Sequence, residues 1–373
     1  MIQKILNYVL GAIFMSLAWS LRGQFGHLKG ALIPGAAAAA ILVLLHREEL
    51  WRKAFGWAVL WSALGFSLGG DLSYGALINR LLETNDFSLL LIYFSELFLK
   101  GALWGGLGMT FLGFSVQETP FRRSDLILVA FLGLLWFIPL GVLEHESFDL
   151  LFYGTGLLIM HLYNFLFKKS RMISLFGLHG ISGFGLAFVV SVLLLYLGKR
   201  GFWGYGWPWW HLRDQIIGII AGCALVSAFH RSVRLNLFPS PEMITPVTQK
   251  SGLLFFAVMI PVIQIVSVFE YWLFELSRPF NREMALSLFC FSLFFPALIL
   301  FLMKGDESLL SEKRLEHVLF ISVMIFSWLL SAVAILKELL PFGPGRWEPA
   351  HTFFIIYSGL LTLLLPIKIY RKA

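Results

Sequence analysis

The segment LRGQFGHLKG, residues 21–30, places Arg22, His27 and Lys29 within eight residues, between the apolar stretches ILNYVLGAIFMSLAWS and ALIPGAAAAAILVLL. A guanidinium in such a connection can hold a phosphate or carboxylate through two parallel hydrogen bonds. His27 adds a side chain that changes protonation near neutral pH. The glycines at 23, 26 and 30 let the backbone turn tightly or come close to a ligand. The competing reading is an arginine snorkelling to lipid headgroups beside a tight helix–helix turn.

Other polar stretches carry compatible chemistry. GGDLSYG supplies Asp71 and Tyr74, and a carboxylate at that depth needs a cation such as Arg22 or Lys29. LEHESFD holds Glu144 and His145, with Glu146 and Asp149 after them. These are general acid–base candidates, but the run lacks the helical histidine pair of a zinc site, so no metal is expected. GFWGYGWPWWHLRD packs six aromatics between Phe202 and Trp210, followed by His211, Arg213 and Asp214. Trp and Tyr gather at membrane interfaces for amphipathic reasons, yet Trp207, Trp209 and Trp210 beside Arg213 and Asp214 are also what a sugar ring or lipid headgroup would stack against. A smaller set, Arg346, Trp347 and Glu348, recurs in GRWEPAH. The sequence therefore nominates His27, Glu144, His145 and His211 for proton chemistry, and the arginines, aromatics and carboxylates just named for binding. Glu96 and Lys100 in SELFLKG stand four apart, the spacing of an intrahelical ion pair. At a membrane helix centre each would cost roughly 2.5 to 3.5 kcal/mol if left unpaired.

The elements that position these residues follow from composition. The chain is 58% hydrophobic and 14% charged, with a mean hydropathy of +0.80, against about 25% charged residues in soluble domains. It reads as an all-α, polytopic membrane protein forming one integral membrane domain over residues 1–373. Runs long enough to cross a core of about 30 Å number about twelve, centred near residues 12, 38, 61, 104, 133, 157, 189, 222, 262, 294, 326 and 359. Whether residues 88–100 span or lie at the interface is left open. The echo between HLKGALIPGAAA and HLRDQIIGIIAGCAL, with His27 and His211 184 residues apart, allows two pseudo-equivalent halves, 1–170 and 171–373.

With the N-terminus inside, one side of the membrane carries 18 of the 29 basic residues and the other 10, Lys100 lying within a span. The positive-inside rule then puts both termini in the cytoplasm of a bacterial-type inner membrane. ETPFRRSD and KKSRM read as solvated, basic connections on that inner side. The net charge of +7 is scattered over short loops, which argues against nucleic acid. Cys223 and Cys290 fall within apolar runs and read as small packing residues. HGISGFG and MHLYN lack the spacing of an intramembrane serine protease's catalytic pair, and the small residues in the former suit close helix packing. No cofactor motif is present; membrane lipids and a small polar or lipid-linked substrate are the expected partners. The expected function is transport or flipping of an anionic, sugar-bearing or lipid-linked substrate through an outward-facing pocket. The alternative is a glycosyl- or acyl-transfer enzyme acting on a lipid-linked substrate at the periplasmic face.

Overall fold

A computed structural model describes residues 2–22, 30–45, 55–70, 72, 74–117, 124–125, 127–128, 131–132, 146–201, 209–237 and 359–360. Within these residues the regular structure is entirely helical: α1 (Ile2–Arg22), α2 (Leu32–Leu45), α3 (Phe55–Gly70), α4 (Gly75–Glu83), α5 (Phe87–Ser115), α6 (Glu146–Tyr163), α7 (Arg171–Lys199) and α8 (Trp209–Arg234). A π-helical turn, Asn164–Lys168, extends α6. Among the described residues, five stretches are helices long and apolar enough to cross a membrane, namely Ile2–Ser20, Phe87–Ser115, Leu150–Lys168, Arg171–Lys199 and Trp209–Arg234. The protein is thus membrane-embedded. α2 and α3, of 14 and 16 residues, are shorter.

Local signals explain where the longest helices start. Asp86 caps α5 by accepting hydrogen bonds from the backbone N–H groups of Ser88 and Leu89, and Ser170 caps α7 through Ile173 N–H, each satisfying donors that a helix start leaves open. Nothing breaks α5 between Phe87 and Ser115, so residues 88–100 form the first half of one continuous 29-residue helix. Phe87, Leu91, Ile92 and Leu99 are exposed on it, as side chains meeting lipid tails should be.

Small residues then set the packing, because helices in lipid associate through close contact and not through a hydrophobic driving force. Gly105 of α5 meets Gly180 of α7 backbone to backbone, and Gly11 of α1 meets Gly222 of α8 in the same way. Gly65 and Gly69 of α3 receive Phe111 and Trp104 of α5, while Gly35 of α2 abuts Ser62 and Ala63 of α3. These contacts fix α5 antiparallel to α7 and α3, and α1 antiparallel to α8. Leu157 beside Gly106 and His161 beside Thr110 fix α6 parallel to α5. One end of the bundle, here the near end, therefore holds the start of α1, the end of α5, the π-turn and the start of α7. The far end holds Arg22, α4, the starts of α5 and α8, and the end of α7. Arg200 Nη2 donates to the Thr84 carbonyl at 2.9 Å, joining the end of α7 to the turn between α4 and α5.

At the near end the structure differs from the expectation of solvated basic connections. Asp125 and Lys168, one from ETPFRRSD and one from KKSRM, are buried, with Lys168 Nζ 2.8 Å from Asp125 Oδ2. Residues 43 apart meet because the π-turn extends α6 just far enough to present Lys168 inward.

Candidate functional site

The far-end cluster is built from the last turn of α1 upward. Trp19 and Arg22 lie three apart on one face, so the guanidinium sits over the indole, its Cζ 4.9 Å from the ring centroid. Trp104 of α5 supplies a second ring at 5.1 Å and Tyr74 a third at 5.7 Å. Trp19 and Trp104 are 0% exposed, and Arg22 only 2%. A cation over desolvated aromatic faces gains about 2 kcal/mol or more, which helps offset its removal from water.

Tyr74 occupies the position just before α4. Arg22 Nη2 donates to its hydroxyl oxygen at 2.7 Å. Its ring packs edge-on against Phe188 of α7, with centroids 4.8 Å apart, and also underlies the Arg213 guanidinium at 5.4 Å. Arg213 and Asp214 come from the second turn of α8. Arg213 donates from Nε and Nη2 to one oxygen, Asp214 Oδ1, at 3.0 and 2.7 Å. Arg22 Nη2 lies 3.7 Å from the same oxygen. Among the described residues the cluster therefore gathers two guanidiniums about one carboxylate, with a tyrosine ring between them. The buried Trp19 indole N–H has no hydrogen-bond acceptor among the described residues.

The cluster is sunk within the bundle. α7 continues from Phe188 to Lys199, about 16 Å at 1.5 Å per residue, and α5 rises toward the far end for longer still. On α8, Trp210 is 36% exposed and covers Arg213 at 4.9 Å.

Of the residues nominated from sequence, Arg22, Tyr74, Arg213 and Asp214 come together, with Trp210 at their edge. Trp209, its neighbour on the helix, points elsewhere and packs against Gly198 of α7. His211, on the same turn of α8, is exposed. Lys100 Nζ is 3.6 Å from Glu96 Oε1, with the lysine side chain 3% and the glutamate 25% exposed. Lys100 stands one turn before Trp104, so α5 presents its ammonium and the indole of the cluster along one buried face. His27, Asp71, Glu144, His145, Trp207, Arg346, Trp347 and Glu348 lie outside the described residues. The sequence reading missed Trp19 and Trp104, which form the floor. The three-residue spacing of Trp19 and Arg22 was the available signal; nothing local links Trp104 to either. No protein-family model, curated protein or solved structure matches the chain.

Proposed function

We propose that this protein is a multi-pass carrier or flippase of the inner membrane, moving a substrate whose recognised group is anionic, with sugar-bearing and lipid-linked molecules the best candidates. The observation that carries this reading is the burial of Arg22 and Arg213 on a tyrosine and two tryptophans inside a bundle of apolar helices. Ionisable groups at such depth are costly and mark substrate pathways. An incoming anionic oxygen would find guanidinium donors and the Trp19 N–H, and the exposed Trp210 would meet an apolar or sugar face. In this reading the far end faces the periplasm and both termini are cytoplasmic. Lys4, Lys168, Lys169, Arg171, Arg231 and Arg234 gather at the near end in accord with that orientation.

A second reading, a periplasmic-face transferase, is favoured by one feature: Tyr74 and His211 offer a proton donor and acceptor within the same end of the bundle. The sunken position of the cluster favours the carrier. Purified protein reconstituted into vesicles containing fluorescently tagged phosphatidylglycerol or phosphatidylcholine separates them. The expected result is protein-dependent exposure of the anionic lipid to an impermeant quencher, lost in Arg213→Gln. Equal exposure of both lipids, or none of either, would overturn the carrier reading, and covalent conversion of the lipid would favour the transferase.

A further inference from the structure

The MHLYNFLFKK stretch that ends α6 contributes nothing to the far-end cluster, yet it lines up polar side chains along the bundle interior. His161, Asn164 and Lys168 follow one another at spacings of three and four, which places them on one stripe of the helix. At its inner end His161 Nε2 lies 3.4 Å from Thr110 Oγ1 of α5. The contact exists because residue 177 of α7 is glycine: a Cβ there would lie 2.6 Å from both Thr110 Oγ1 and His161 Cε1, and 2.8 Å from His161 Nε2. The imidazole occupies the space that any other residue at 177 would fill.

One turn toward the near end, Asn164 Nδ2 donates to Ser174 Oγ at 2.8 Å and to the Ser170 carbonyl at 2.9 Å, while its Oδ1 accepts from Ser170 N–H at 3.0 Å. A further turn on, Lys168 pairs with Asp125, whose other oxygen accepts from the Tyr163 hydroxyl at 2.6 Å. Ser124 Oγ accepts from that same hydroxyl at 2.8 Å and is exposed. Polar groups thus run from the near end of the bundle to a histidine within it, where apolar side chains would pack at lower cost.

We propose that His161 is a proton-binding site loaded from the near face along this seam. In the loading step a proton from near-side water binds the neutral imidazole, giving imidazolium held by the Thr110 hydroxyl oxygen; release reverses it, and no other bond changes. The groups that can bias this equilibrium among the described residues are Tyr163 and Lys168 on α6, Asp125 beside them, and Arg171 and His179 on α7. His179 uses Nδ1 on its own helix, at the Leu175 carbonyl. α5 presents only the hydroxyl of Thr110 at this level, its one lysine, Lys100, lying more than two turns away. A proton site opening to the face opposite the arginine cluster is the arrangement a proton-coupled carrier requires, so the coupling role, though not proton binding itself, rests on the carrier reading.

The test has two arms. Histidine-selective nitrogen NMR of the whole protein in lipid nanodiscs should show an imidazole that changes protonation between about pH 5 and 8, absent in His161→Gln and displaced in Gly177→Ala. A signal assigned to His161 that keeps one neutral tautomer across that range, or that is unaltered in Gly177→Ala, overturns the proposal. In the vesicle assay, the exposure rate of the anionic lipid should depend on pH on the near side in wild type, and His161→Gln should lose that dependence. If exposure keeps its full pH dependence in His161→Gln, the coupling role fails while the carrier reading stands. If His161 titrates as expected but no lipid moves, the proton site stands and the carrier reading fails.

Discussion

At the residue scale, the decisive contact is the sharing of one carboxylate oxygen by two arginines. Asp214 lies 2.7 Å from Arg213 and 3.7 Å from Arg22, all three side chains being largely buried. Removing one partner of a buried pair leaves uncompensated charge, at a cost of about 3 to 5 kcal/mol. Asp214→Ala should therefore lower the thermal unfolding temperature more than the double variant Asp214→Ala/Arg213→Met, in which charge and partner go together. Equal loss in both would mean that the pair is solvated. Arg22→Lys should also weaken the site, because an ammonium cannot present the flat guanidinium face that rests on Trp19 and Trp104. Glu96 and Lys100 call for the same double-variant logic, and a coupling of roughly 0.5 to 3 kcal/mol is expected for residues in contact. Strict additivity of Glu96→Ala and Lys100→Ala in thermal unfolding would contradict it. The sequence made Arg22, Arg213 and Asp214 conspicuous because they stand beside glycine-rich and tryptophan-rich connections between apolar runs. It hid Asp125 and Lys168, since charges at a helix end read as solvated until a partner 43 residues away is known to meet them.

At the element scale, glycines decide which helices touch. The Gly105–Gly180 and Gly11–Gly222 contacts bring backbones together with no room for a side chain. Overpacking such a site typically costs about 1 to 3 kcal/mol. Gly180→Leu or Gly222→Leu is expected to reduce the yield of monodisperse protein in detergent sharply, whereas Gly154→Ala, whose new methyl would meet among the described residues only Leu103 Cδ2 at 3.8 Å, should be tolerated. Matching yields for all three would remove close packing as the organising contact. The apolar runs made α1, α7 and α8 legible from sequence, as their length alone is enough. The true extent of α5 was not, because Glu96 and Lys100 interrupt its hydrophobicity. An ion pair within the helix, with apolar neighbours turned outward, lets it continue.

At the scale of the whole molecule, the bundle carries charge at both ends with different chemistry at each: arginines on aromatic rings at the far end, a histidine seam reaching in from the near end. The orientation predicts that an impermeant thiol reagent added to intact cells will label cysteine placed at residue 24 or 205 but not at residue 169, in a background lacking Cys223 and Cys290. The reverse pattern would invert the topology. The twelve-span count and the two halves, by contrast, depend on residues beyond 237 that lie almost entirely outside the described structure. Whether the arginine cluster holds an anionic group is decided by native mass spectrometry of the protein released from mixed-lipid nanodiscs. Wild type should retain a phosphatidylglycerol in preference to phosphatidylcholine, and inorganic phosphate added in excess should displace it only if the free anion suffices for recognition. Arg22→Gln/Arg213→Gln should lose that preference. Retention of phosphatidylglycerol at the wild-type level by the double variant would mean that the arginines do not hold the anionic group.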